Sequence, residues 1–95
     1  VQSANATNSI SDRQALDLWA RMQPLNLPES VLLAFLTANC DRFLETATSL
    51  PEIAYRHGMT RRVAFRCLLR LRRLGLLEIE RRQGTKIYRI AGYTK

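Results

Sequence analysis

Six arginines, at 61, 62, 66, 70, 72 and 73, stand between Thr60 and Gly75 with no acid among them. A guanidinium group presents several N–H donors in a flat fork, which suits phosphate oxygens and the paired acceptors on the major-groove edge of guanine. The chemistry on offer is therefore recognition of an anion. A solvated helix face would normally mix Glu and Lys into such a run, and like charges this close cost stability unless an anion relieves them. A second basic group, Arg81, Arg82 and Lys86, brackets Gln83-Gly84.

Other residue types that could do chemistry are sparse. Asp41 and Glu45 are four apart and could share a helix face, but two carboxylates without a metal-binding partner or a nucleophile read as surface charges. With one histidine, His57, two cysteines, Cys40 and Cys67, and no Cys-x-x-Cys, no zinc cluster is expected. The cysteines should be free thiols and His57 a partly buried residue at a helix end. No glycine-rich phosphate loop and no nucleophile elbow occur, so we expect neither an enzyme nor a cofactor.

These residues must be positioned by a small body. The chain has 95 residues, 46% of them hydrophobic, which allows one domain and one core and leaves little room for a large catalytic cleft. Its net charge of +7 is unevenly spread. Residues 1–50 hold three basic and five acidic side chains, whereas residues 51–95 hold twelve basic ones against Glu52, Glu78 and Glu80. Whatever binds a polyanion therefore lies after Pro51. The longest apolar run, Val31 to Leu36, is far too short to span a membrane, so a cytoplasmic, nucleoid-associated protein is expected. The chain begins with valine, which fits a piece of a longer protein.

Residues 1–10 are small and polar and read as a flexible leader, with a folded domain over 11–95. Ser11 and Gln14 form a capping box for an accessory helix over 11–23, whose stripe of Ala15, Leu16, Trp19, Ala20 and Met22 ends before Pro24. Asn26 and Glu29 cap a second helix with an apolar face of Val31, Leu32, Phe35, Leu36 and Ala38. The stretch from Cys40 to Thr48 reads as a helix end plus a short strand. Ser49 and Glu52 make another capping box, opening a two-turn helix that stops near Gly58. Thr60 caps the arginine helix, whose Val63, Ala64, Cys67, Leu68, Leu71 and Leu74 fall on one side.

After Gly75 the period drops to two, with Gln83-Gly84 at the centre, which predicts a β-hairpin. If Arg82 faces Thr85, then Arg81 pairs with Lys86, Ile79 with Tyr88, Glu78 with Arg89 and Leu77 with Ile90. That register puts every large apolar residue except Ile87 on one face and leaves Arg81, Arg82 and Lys86 together at the tip.

The order of short helix, glycine turn, arginine-rich helix and hairpin resembles the winged helix-turn-helix DNA-binding domains of bacterial regulators and of plasmid or phage replication proteins. The resemblance covers Pro28 to Ile90 and is carried by Leu50, Ile53 and Ala54, by Gly58 and Met59, and by Thr60 to Leu74 followed by Gly-Leu-Leu-Glu-Ile. It implies a mainly α fold with a small hairpin, an α+β class, with a winged-helix core over 28–90 behind an extra N-terminal helix. It also implies that Ala54 lets two helices approach, that Gly58 makes the turn and that Met59 plugs the core beneath it. By the same resemblance the helix from Arg61 enters the major groove of double-stranded DNA. The expected contacts are Thr60, Arg61, Arg62, Phe65, Arg66, Arg70 and Arg73, joined by Arg81, Arg82 and Lys86 of the wing.

Alternatives stay open at this point. The module could use its basic face for an acidic protein partner, or bind RNA, although Phe65 is the only stacking aromatic on the arginine helix. Phe65 and Leu69 project from the exposed side, where packing is favoured over a base contact. A homodimer could form through Leu16, Trp19 and Met22 of the first helix, or through Phe65 and Leu69. A regulator, a replication protein and a partition protein would share every feature read so far.

Overall fold

A computed structural model of the chain describes residues 13–93. Helix α1 occupies residues 13–21, and α2 (Leu27–Asn39), β1 (Glu45–Ala47), α3 (Leu50–Arg56), α4 (Arg61–Arg73), β2 (Leu77–Arg82) and β3 (Thr85–Ile90) follow in order. The three strands form one antiparallel sheet in the order β1-β3-β2. This is the expected α+β arrangement. The expected leader at 1–10 and the Ser11 half of the first capping box lie outside the described residues.

Local sequence explains most boundaries. Asn26 Oδ1 accepts from the Glu29 amide at 3.0 Å and the Glu29 carboxylate accepts from the Asn26 amide at 3.2 Å, a complete capping box with Pro28 in the first turn. At α3 only half of the expected box forms: Ser49 Oγ accepts from the Glu52 amide, but the Glu52 carboxylate turns to Arg56. Gly58 adopts φ 61°, and the Met59 amide donates back to the Ala54 carbonyl at 2.9 Å, so the chain reverses between α3 and α4 in a conformation natural to glycine.

The core gathers Leu32, Leu33 and Leu36 of α2, Ile53 and Ala54 of α3, Ala64, Cys67, Leu68 and Leu71 of α4, and Leu77, Tyr88 and Ile90 of the sheet. Met59 packs against it from the turn, as the resemblance implied. Both thiols are free and buried, and burial pushes their pKa values up. Residues such as Leu71, with no exposed surface, anchor α4: truncation to alanine typically costs about 2–5 kcal/mol.

Several sequence expectations shift. The buried face of α2 centres on Leu33 and Thr37, while Ala38 is exposed, because α2 packs against both α4 and the sheet. On α4, Val63 and Leu74 mark the exposed ends of the apolar stripe. Asp41 and Glu45 do not share a helix: Asp41 Oδ1 accepts from the Phe43 and Glu45 amides and holds a turn in which Leu44 has φ 65°, and Glu45 begins β1. Finally, Arg13 of α1 reaches across the fold and donates to the carbonyls of Thr37, Ala38 and Cys40 at 3.1–3.4 Å. It supplies the cation that the last turn of α2 lacks in its own sequence.

Candidate nucleic-acid interface

Helix α4 is set by Thr60, whose hydroxyl accepts from the Val63 amide at 3.1 Å, and by Gly75 at φ 78° beyond its end. Ala64, Cys67, Leu68 and Leu71 turn inward against α2, α3 and β2. At 100° per residue, Arg62, Arg66 and Arg73 stand opposite this buried face. Arg61, Phe65 and Arg72 line one flank, and Val63, Arg70 and Leu74 the other. All six arginines are exposed. None forms an ion pair with another described residue.

The placement of charge along α4 is itself unfavourable. Arg70, Arg72 and Arg73 sit in the last turn, where a helix dipole welcomes cations. Arg61 and Arg62 sit in the first turn, where the same dipole opposes them, and no acid is there to compensate. An anion near that turn would offset both arginine charges and the dipole end at once.

The hairpin register is the expected one, from Leu77↔Ile90 through Arg81↔Lys86 to Arg82↔Thr85. Gln83 at φ 53° and Gly84 at φ 81° give the two-residue turn whose twist matches the strands. Arg81 and Lys86 face each other on the core side of the sheet, beyond Ile79 and Tyr88, and neither is ion-paired among the described residues. They flank a shallow groove toward the start of α3, lined also by Thr48, Ser49, Pro51 and Glu52.

Arg82 does not join them. Alternation places it on the opposite face, where it donates to both carboxylate oxygens of Glu45 at 3.3 and 3.2 Å and to Glu80 at 3.0 Å. Arg89 completes the cluster, donating to Glu78 at 2.7 and 3.0 Å and to Glu45 at 3.0 Å. The two guanidinium groups hold the Glu45 carboxyl below its usual pKa, Arg82 contributing most, and the carboxylates raise the pKa values of both arginines. Ile87, expected to be the outward-facing exception, is buried in the middle of this face between Ala47 and Glu80.

Of the residues read as contacts, the structure brings Arg61, Arg62, Phe65, Arg66, Arg70 and Arg73 onto α4 beside its cap Thr60, and sets Arg81 and Lys86 on the wing. Arg72, left out of that set, is exposed on the same flank as Arg61, eleven residues and three turns away, a spacing that could have revealed it. Phe65 is 46% exposed and Leu69 half-buried. The dimer surface read from the first helix needs correction. Leu16 is buried in the core and Trp19 packs edge-on against Tyr93 at 5.5 Å, so Leu18 and Met22 are the exposed apolar side chains there.

No group of His, Cys, Asp and Glu among the described residues could hold a metal ion, and no helix among them is long and apolar enough to cross a membrane. The fold is similar to that of the winged-helix protein HlyU from Vibrio cholerae N16961, with a TM-score of 0.50 and 20% sequence identity over 86% of this chain and 78% of that one. No family model and no curated protein sequence matches the chain.

Proposed function

We propose that this winged-helix chain binds double-stranded DNA, laying α4 in the major groove and the Arg81–Lys86 rim of the wing on the adjacent backbone. The observation that carries the reading is the split among its arginines. Those on the sheet's outer face are satisfied by carboxylates, whereas the six on α4 have no ion-pair partner among the described residues and two of them oppose the helix dipole. A folded domain tolerates that arrangement most easily when an external polyanion supplies the missing charge.

Arg62 and Arg66, near the N-terminus of α4 and opposite the core, would read guanine edges. Arg61, Arg70 and Arg73 would hold phosphates, and Phe65 could meet a thymine methyl. The reading is sequence-specific or semi-specific duplex binding, as a regulator of transcription would use, with residence on the nucleoid as its consequence. The test is a salt titration of duplex affinity. With five or more phosphates contacted, log K should fall against log salt with a slope steeper than about −4. Absence of duplex binding at low salt would instead favour an acidic protein partner for the same face.

A further inference from the structure

The two faces of the wing carry opposite charge. The core-side rim holds Arg81 and Lys86, neither ion-paired among the described residues, with Glu52 of α3 across the groove paired to Arg56, while the outer face holds Glu45, Glu78 and Glu80 around Arg82 and Arg89. Glu45 is the hub of that outer cluster. Its side chain is only 15% exposed, comes from a different part of the chain, and accepts from both arginines at once.

Resting on the DNA reading above, we propose that Glu45, supported by Glu80 and Glu78, determines which face of the wing can meet DNA. Three carboxylates against two guanidinium groups leave the outer face with a net negative charge. A phosphate approaching it meets repulsion, and Arg82 is held in a bidentate pair that a phosphate would have to break. With charges screened over about 8–10 Å at physiological salt, this effect is local to one face of a thin hairpin and leaves the field around α4 intact. The cluster therefore confines the polyanion to α4 and the Arg81–Lys86 rim. It suppresses the alternative docking poses that a wing basic on both faces would allow, which is how repulsion sharpens specificity.

The proposal has a consequence opposite to that of removing a binding residue: neutralising carboxylates should strengthen binding. Glutamine preserves the shape and accepting oxygen of glutamate without its charge. In Glu45→Gln/Glu80→Gln, Arg82 becomes free to take a phosphate. One further contact steepens the salt slope by about 0.9, so the variant's advantage over the wild type should grow about 3.5-fold as salt falls fourfold. The gain should be greatest on duplexes of random sequence, narrowing the discrimination between preferred and random DNA.

The experiment measures duplex affinity against salt for the wild type, for that double variant, for the triple variant that adds Arg82→Gln, and for Asp17→Asn on α1 as a distant loss of one acid. Thermal midpoints monitor folding, and Glu45→Gln alone, which takes the charge out of the bidentate pair with Arg82, asks the same question if the double variant unfolds. A steeper slope that reverts in the triple variant and is absent in Asp17→Asn supports the assignment. An unchanged slope in a folded Glu→Gln variant, or a gain that survives loss of Arg82, overturns it while leaving the DNA reading intact. Failure of the wild type to bind duplex DNA at any salt refutes both.

Discussion

Replacing Arg81 and Lys86 together by alanine separates a wing that binds from a wing that merely packs. The two residues are directly opposite each other across the hairpin, beyond the Ile79–Tyr88 pair that ends the sheet's large core-side apolar positions, and neither is ion-paired among the described residues. Like charges directly opposed are unfavourable, so truncation removes repulsion and deletes no core atom. The thermal midpoint should stay constant or rise slightly. If each side chain holds one phosphate, the salt slope flattens by about 1.8 units, and the wild type's advantage over the variant grows about 12-fold between 200 and 50 mM salt. Thermal melts followed by circular dichroism and fluorescence anisotropy on a labelled duplex measure both quantities. A fall in the midpoint with unchanged DNA affinity would refute the reasoning, because it would mean that the tip is held inside the fold.

Three further outcomes are expected. Arg62→Ala or Arg66→Ala should cost roughly 1–3 kcal/mol of affinity and relax base preference, whereas Arg73→Ala, far from the N-terminus of α4, should weaken all duplexes equally; competition among sequence variants distinguishes the two patterns. The Tyr88 hydroxyl is buried without a hydrogen-bond partner among the described residues, so Tyr88→Phe should stabilise the fold by about 1 kcal/mol, raising the thermal midpoint by roughly 4–8 °C; a loss of that size would reveal a partner for the hydroxyl. Glu45 has a lowered folded pKa, so its contribution is present above the ordinary carboxylate range and disappears as the pH falls through the folded value. Thermal midpoints of wild type and Glu45→Gln should accordingly differ at neutral pH and converge in acid.

What the chain disclosed in advance was whatever depends on neighbours in sequence. The period of two around Gln83-Gly84 specified the full register of β2 and β3, because a slip by one residue would have turned Leu77, Ile79, Tyr88 and Ile90 away from the core. Thr60, Asn26 and Gly58 marked helix boundaries through hydrogen bonds and backbone angles that each residue type satisfies locally. The pairing of β1 with β3 was not readable, since Glu45 meets Arg89 across 44 residues and a three-residue strand has almost no periodicity. Arg82 is a different case, since the legible hairpin register already turns it away from Arg81 and Lys86. Adjacent residues of a strand face opposite ways, and only the third strand shows which carboxylate waits on the far side.

Helix α1 looks like an appendage beside α4 and the hairpin, but the fork of Arg13 gives it another standing. Its donors hold the carbonyls of Ala38 and Cys40, at the point where α2 gives way to the Asp41 turn and then to Glu45. From Cys40 to Glu45 at the start of β1 the chain runs only six residues and crosses a leucine in the left-handed region, which leaves little slack to absorb movement. Lifting α1 would take these donors from the carbonyls at the end of α2, directly before the turn that Asp41 holds. Helix α1 is thus tied to the start of the sheet through the end of α2 as well as to the core through Leu16 and Ala20, so Arg13 bears on the β1 edge and not on its own helix alone.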